Sequence, residues 1–366
     1  MHYLQKITLL FIACAISLSC AGKDNSEKVT YVVKGRTEKK GDKIILIGSA
    51  SSVSFAFSGE KCVLKLEAQD TFEHHNYVSL VLDGKYIGRQ RIENGAGTYP
   101  VTVKGNANDS HTLTVYKATE AANGNVIFNG VDAELMATQV VSKKKIEFIG
   151  DSITCGMGND TEEIPCDTAE WYDQHNAYFA YGPITARKLD VDYMLSSVSG
   201  IGMYRNWNDE HKDEAIMPDV YENLYLNREN TIPYDFSFQP DITCIALGTN
   251  DFSDGDGEKP RLPFNEDKYV NNYIAFIKML YSHNPDTQIV LLDSPMVNGE
   301  KLETFHTCLN RVKDAFKNNK QHKLIKIFHF SSVTPHGCGY HPDIEDHKLM
   351  ASQLAPYLKN VLNENE

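Results

Sequence analysis

The hydrophobic period of the chain changes once, across the basic polar stretch Ser142 to Lys145, and that change limits the architectures open to it. Before it, from about Val29, short runs rich in β-branched and aromatic residues succeed one another: Lys43–Ile47, Val53–Phe57, Cys62–Ala68, Tyr77–Leu82, Thr98–Val103 and His111–Lys117. Ser58-Gly59, Asp83-Gly84, Asn94-Gly95 and Asn123-Gly124 punctuate these runs, as strands joined by tight turns require. Val78–Leu82, Asp83-Gly84 and Tyr86-Ile87 together spell a hairpin. No helical period of useful length occurs in this part. Residues 29–141 are therefore expected to form an all-β, jelly-roll-like sandwich domain.

After the change, strand-like runs at Lys145–Ile149, Val191–Ser196, Asp241–Leu247, Gln288–Asp293 and Lys323–Phe330 alternate with helical stretches. The helices are expected at His175–Leu189, Asn265–His283, Lys301–Asn319 and Pro342–Leu362. In the second of them Tyr269, Tyr273, Phe276, Ile277 and Leu280 make one apolar stripe at helical spacing. Such alternation predicts an α/β fold for residues 142–366, a three-layer doubly wound parallel sheet with its active site at the carboxyl ends of the strands. Residues 203–239 interrupt the pattern as an aromatic and acidic insertion, expected to be irregular and near that site.

A length of 366 residues suits two domains, and 42% apolar with 23% charged residues describes a folded protein. A net charge of −13 argues against nucleic acid and against adsorption to anionic lipid. Lys6 and then the apolar stretch Ile7–Leu18 read as an export signal over residues 1–20, too short to span a membrane comfortably. Cys20, before Ala21-Gly22, resembles a bacterial lipoprotein cleavage site, with residues 21–28 as a tether, although Ser17 also leaves plain secretion open. The expected location is thus the periplasm or the cell surface. Six later cysteines are too sparse for a disulfide framework and lack zinc-site spacing. Cys62 and Cys244 are expected as buried thiols; Cys155 and Cys166, flanking a loop after Ser152, are a pair that could be bridged. His74-His75 on a polar loop is read as solvated rather than metal-binding.

The loops at the strand ends carry the chemistry. Ile146–Ile149 ends in Gly150-Asp151-Ser152, which delivers a hydroxyl to the rim of a sheet while the strand behind it holds its position. The second strand leads to Ser199-Gly200-Ile201-Gly202, the third to Gly248-Thr249-Asn250-Asp251, and the last to His336-Gly337-Cys338-Gly339-Tyr340-His341-Pro342. Acyl transfer to serine needs a nucleophile, a base and donors for the oxyanion. Ser152 supplies the first and His341 the second; the Gly200 N–H group and the Asn250 amide supply donors. Pro342 predicts that His341 stands at a helix N-terminus, where the dipole disfavours imidazolium. Tyr340 and Trp207 are candidates for stacking on a sugar ring.

Gly150-Asp151-Ser152, Gly200, Gly248-x-Asn250-Asp251 and His341-Pro342 resemble, block by block, the SGNH/GDSL hydrolase superfamily. The preceding β-sandwich, the run IEFIGDSITCGMGN, the loop SGIG and the ending GCGYHP resemble carbohydrate esterase family 2. The resemblance implies a two-domain acetylesterase acting on acetylated plant polysaccharides or oligosaccharides, without metal or cofactor, whose oxyanion hole is made by the Ser152 N–H, the Gly200 N–H and the Asn250 side chain. Most members carry an aspartate three residues before the histidine; here that place is Cys338. The resemblance then implies a Ser–His dyad with a backbone carbonyl near 338 orienting the ring, and the Cys338 side chain itself is expected to matter little. Asp343 or Asp346 is the alternative partner for the ring. Two other functional readings stand beside this one: a lipid or thioester hydrolase on the same fold, and a non-catalytic carbohydrate-binding protein.

Overall fold

The computed structural model describes residues 27–69, 74–103, 109–229 and 231–364. The expected signal and Cys20 lie outside the described residues. Glu27 and Lys28, expected at the end of the tether, already belong to structure: Glu27–Val29 pairs antiparallel with Thr138–Val140.

Among the described residues, the first part is a nine-stranded antiparallel sheet folded over one apolar core. Its spine is Ser52–Gln69, a single 18-residue strand that pairs along its length with Asn125–Met136. On its other side it pairs first with Ser110–Lys117 and then with Gly95–Thr102, so one strand serves both layers. Two shorter strands with a turn at Ser58-Gly59 were expected here, and the structure corrects this. Gly59 takes φ 100°, and the partner strand shifts register between Asp132 and Glu134, so the chain bends at a bulge and does not reverse. The Asp83-Gly84 hairpin forms as expected, with φ 50° and 76° at its two turn residues. Along the spine Val53, Phe55, Phe57, Leu64 and Leu66 are wholly buried while alternate positions are not, the period of a strand with one face inward.

The second part is a five-stranded parallel sheet with Asp192–Ser197 at one edge, then Lys145–Gly150, Ile242–Ala246, Gln288–Leu292 and Lys326–Phe328. Ile146, Phe148 and Ile149 are fully buried because apolar clusters cover both faces of the sheet. Its longer helices are Tyr181–Leu189, Glu266–His283, Gly299–Ala315 and Ile344–Asn363. Asn265 caps the second through Lys268 N–H, and the stripe Tyr269, Tyr273, Phe276, Ile277 and Leu280 faces the core as its spacing requires. The first is shorter than expected. His175 and Asn176 spend their side chains on tertiary contacts, and a 3-10 turn at Ala177–Phe179 intervenes. The last also starts late: Asp343 is its N-cap, accepting from Asp346 N–H, so Pro342 lies outside the helix. Among the described residues no helix is long and apolar enough to cross a membrane.

The insertion after Gly202 is largely irregular, with one short helix at Met217–Val220. It closes over Arg36, which reaches out of the antiparallel sheet and is fully buried. Arg36 donates to Asn223 O at 2.7 Å, Tyr221 O at 2.9 Å and Ser196 Oγ at 3.0 Å, with Tyr234 against its guanidinium at 4.4 Å. Burial depresses its pKa, opposed by Tyr221 and by Glu147, itself buried and bonded to Ser196 and Tyr221. Arg36→Ala is expected to lower the unfolding free energy by roughly 3 kcal/mol, because it strands two carbonyls and a buried carboxylate. Urea denaturation monitored by fluorescence measures it, and a change below about 1 kcal/mol would contradict this account.

Candidate active site

Strand Lys145–Gly150 lies between Asp192–Ser197 and Ile242–Ala246, with Gly150 in register with Ser197 on one side and Ala246 on the other. In chain order the strands run 2-1-3-4-5, so Ser152 emerges at the point where the sheet is wound in opposite directions, the crevice open α/β sheets use for ligands. Gly150 is required by space. A Cβ there would stand 2.1 Å from Thr154 Oγ1. Asp151 then caps a single helical turn, Ser152–Cys155, by accepting from Ile153 N–H at 3.1 Å.

His341 Nε2 lies 2.7 Å from Ser152 Oγ, across 189 positions of chain. Its other nitrogen, Nδ1, lies 2.7 Å from Gly339 O. A carbonyl only accepts, so Nδ1 carries the hydrogen and Nε2 is left as an acceptor facing the hydroxyl. Burial is the first cause that holds the His341 pKa below its ordinary value of 6.5; the Gly339 carbonyl works against it. The expected helix-terminus effect is corrected, since His341 precedes the N-cap by two residues. Neither acid reaches the ring: Asp343 caps the helix, and Asp346 accepts from His336 Nδ1 and N–H. His347 is fully buried, accepts from Tyr181 N–H, and is held down to about 3 by burial.

The histidine loop is sewn to the serine loop. Cys338 N–H donates to Gly158 O at 2.9 Å, and Ile344 N–H to Asn159 O at 3.0 Å. Cys338 is bonded to Cys166, which corrects the Cys155–Cys166 pair and gives the Cys338 side chain a covalent partner. Closing a loop of 172 residues constrains the unfolded chain by about 5 kcal/mol on the chain-entropy model. Among the described residues Cys62, Cys155, Cys244 and Cys308 are free and buried.

Opposite the serine, Gly200 takes φ 77°, and a Cβ on it would meet Trp207 Cδ1 at 2.9 Å. The Trp207 backbone N–H in turn donates to Gly200 O at 3.0 Å, so the two backbone segments hold each other. Asn250 is held from two sides. Its Nδ2 donates to Ile201 O at 2.8 Å and more weakly to Asp151 Oδ2 at 3.3 Å, while its backbone carbonyl accepts from Arg261 at 2.7 Å. Burial pushes Asp151 up to about 7. Asp251 collects the N–H groups of Met203, Tyr204 and Arg205 on one carboxylate and so fixes the loop after Gly202.

Ser152, Gly200, Asn250, His341 and Trp207 all line one pocket of about 710 Å³. Tyr340 does not: it is 87% exposed and stands outside the walls. A larger cleft of about 1230 Å³, beside Val32–Lys34 and Tyr234–Phe238, shares no lining residue with this pocket.

Three further contributors carry no signal in the sequence. Trp171 forms a second aromatic wall. Glu120, from the turn after strand Ser110–Lys117, is wholly buried here and accepts from Ser199 N–H at 2.6 Å and from Cys155 Sγ at 3.4 Å. His175 faces it at 3.6 Å, packs against Trp171, and accepts from Gly158 N–H. Burial alone would raise the Glu120 pKa, but the nearby His175 ring and the Ser199 N–H hydrogen bond outweigh it and leave the carboxylate below its ordinary range. No local pattern marks a lone glutamate after a strand as a partner of a loop 79 residues on. His75, expected to be solvated, is buried against Asp173 at 2.5 Å and belongs to the same contact between the two parts.

Comparison with known proteins agrees with this geometry. The carbohydrate esterase 2 N-terminal model matches residues 33–139, and the GDSL-like lipase/acylhydrolase model matches residues 146–354. An acetylxylan esterase / glucomannan deacetylase of Cellvibrio japonicus is 31% identical over 83% of this chain and 82% of its own length. A family two carbohydrate esterase from Clostridium thermocellum, solved in complex with cellohexaose, superposes with a TM-score of 0.79 at 27% identity, over 91% of this chain and 99% of that one. The acetyl xylan esterase Est2A from the rumen bacterium Butyrivibrio proteoclasticus gives a TM-score of 0.79 at 25% identity, over 92% and 99%. The chain therefore belongs to the GDSL-like lipase/acylhydrolase family, among the carbohydrate esterases of family 2, and is a carboxylic-ester hydrolase.

Proposed function

We propose that this protein is an exported serine acetylesterase that removes O-acetyl groups from plant polysaccharides or their oligosaccharides, xylan and glucomannan among them. The observation that carries the reading is the 2.7 Å contact between His341 Nε2 and Ser152 Oγ, at the mouth of a pocket walled by Trp171 and Trp207. The names of the relatives supply the acyl group and the sugar. Two indole faces beside a nucleophile suit a pyranose ring, whose C–H face stacks on aromatics while its hydroxyls stay wet.

In this mechanism Nε2 takes the Ser152 proton as Oγ attacks the acetyl carbonyl carbon. Gly339 O holds the Nδ1–H and so keeps the ring in the accepting tautomer; as a neutral group it stabilises imidazolium less than a carboxylate would. The oxyanion is met by the Ser152 and Gly200 N–H groups and by the Asn250 N–H that leans only weakly on Asp151. Collapse passes the proton from imidazolium to the departing sugar oxygen. Water, deprotonated by the same nitrogen, then releases acetate from Ser152. Glu120 acts as a positioning residue: by holding Ser199 N–H it sets where the Gly200 N–H points.

The Cys166–Cys338 bond supports export, since disulfides persist in oxidising compartments. A lipid on Cys20 would tie the enzyme to the membrane surface, and labelled palmitate incorporation tests for it. The pocket's volume of about 710 Å³ also has room for longer acyl chains, so a lipid or thioester hydrolase is the reading to be separated.

Ser152→Ala is expected to abolish acetate release from acetylated xylan, glucomannan and an aryl acetate, and the wild type should favour acetyl over octanoyl esters. Octanoyl preference would assign the lipid reading instead. The acid limb of kcat/KM should have its midpoint below 6.5, because neutral His341 is needed and the folded site lowers its pKa. A midpoint above 6.5 would mean a carboxylate partner that this geometry lacks. Glu120→Ala should lower kcat roughly 10- to 100-fold with little change in KM. Glu120→Gln, which can still accept from Ser199, should restore most of it; equal loss in both would show a general folding role.

A further inference from the structure

Away from the pocket, three elements bring Asp293, His306 and His329 together. Asp293 comes directly after strand Gln288–Leu292, His329 directly after strand Lys326–Phe328, and His306 rides on helix Gly299–Ala315. His306 Nε2 and His329 Nδ1 lie 2.7 and 2.8 Å from the same oxygen, Asp293 Oδ2, with ring centroids 4.0 Å apart. The carboxylate is 1% exposed and the two imidazoles 33% and 44%. Its other oxygen accepts from Phe330 N–H at 2.8 Å, which fixes the carboxylate plane.

We propose that Asp293, His306 and His329 form a binding site for a borderline divalent transition cation such as Zn²⁺, separate from the Ser152–His341 pocket. Two nitrogens and one oxygen suit zinc better than calcium or magnesium, which prefer all-oxygen sets. Ligands at about 2.1 Å from zinc stand roughly 3.4 Å apart in a tetrahedron. The two nitrogen–oxygen spacings therefore need to open by about 0.6 to 0.7 Å, a small ring rotation for imidazoles with one side in solvent. On binding, each ring hydrogen that now points at Asp293 moves to the other ring nitrogen, and water completes the coordination on the open side. The Phe330 N–H is the outer partner such carboxylate ligands usually have.

The site has a bearing on the pocket. Next to Asp293 is Ser294, whose Oγ accepts from Thr249 Oγ1 at 2.9 Å, and just beyond lie the pocket residues Met296, Val297 and Asn298. A cation there pins the root of that wall.

Calorimetric titration of the metal-free full chain with ZnCl₂ tests the site. One equivalent should bind, and His306→Gln and His329→Gln should each weaken it by about tenfold or more. Both variants should keep the metal-free melting temperature and aryl acetate hydrolysis. Co²⁺ should give a visible absorption band in the wild type that either substitution removes and Zn²⁺ displaces. Protection of His306 and His329 from diethyl pyrocarbonate by Zn²⁺ reads the same site in the unaltered chain. No binding at millimolar Zn²⁺, no protection, or unchanged affinity in both variants would overturn the proposal.

Discussion

Parallel hydrogen bonding in register is the constraint on which this site rests. Because Gly150 pairs beside Ser197 and Ala246, three neighbouring strands end at one height. Their loops must then turn toward a common space, and the serine, the Gly200 loop and Asn250 enter it without any of them needing a long reach. The apolar runs that bury those strands from both sides hold the positions of groups that never touch them. A slip of one residue would turn Ile149 out of its cluster and move the hydroxyl by more than the tolerance of a hydrogen bond.

Much of this is legible in the chain of residues alone. Strand ends announce themselves by Gly-Asp-Ser, Ser-Gly-Ile-Gly and Gly-Thr-Asn-Asp, because catalytic loops after buried strands change composition abruptly. The illegible remainder involves choices between local rules or partners far apart. Pro342 favours a helix start, but Asp343 with Asp346 forms the stronger cap and wins by two residues. Ser58-Gly59 has turn composition, yet a strand fed from both sides runs through it. Cys166 finds Cys338 rather than Cys155, which lies closer in sequence but faces Glu120 in the interior. Such pairings depend on the finished topology, and no window of sequence contains both halves.

The antiparallel part is more than a neighbour of the hydrolase. Arg36 and Glu120 both leave it to be buried in the other part, each making hydrogen bonds that water would otherwise have to make. Groups of this kind are costly to bury and poor at holding anything together unless every bond is made, so they specify one docking geometry. Glu120 also stands one residue from Gly200 through Ser199. The sandwich therefore behaves as part of the Gly200 loop's frame, and a transplanted sandwich lacking that carboxylate would leave the loop unbraced.

Where related hydrolases keep a carboxylate behind the histidine, this chain keeps a sulfur–sulfur link in the same loop. A carboxylate is present as soon as the chain is made; the link must be oxidised into being. Before that oxidation the histidine loop is held to the serine loop by hydrogen bonds such as Cys338 N–H to Gly158 O and Ile344 N–H to Asn159 O; afterwards the hold is covalent as well.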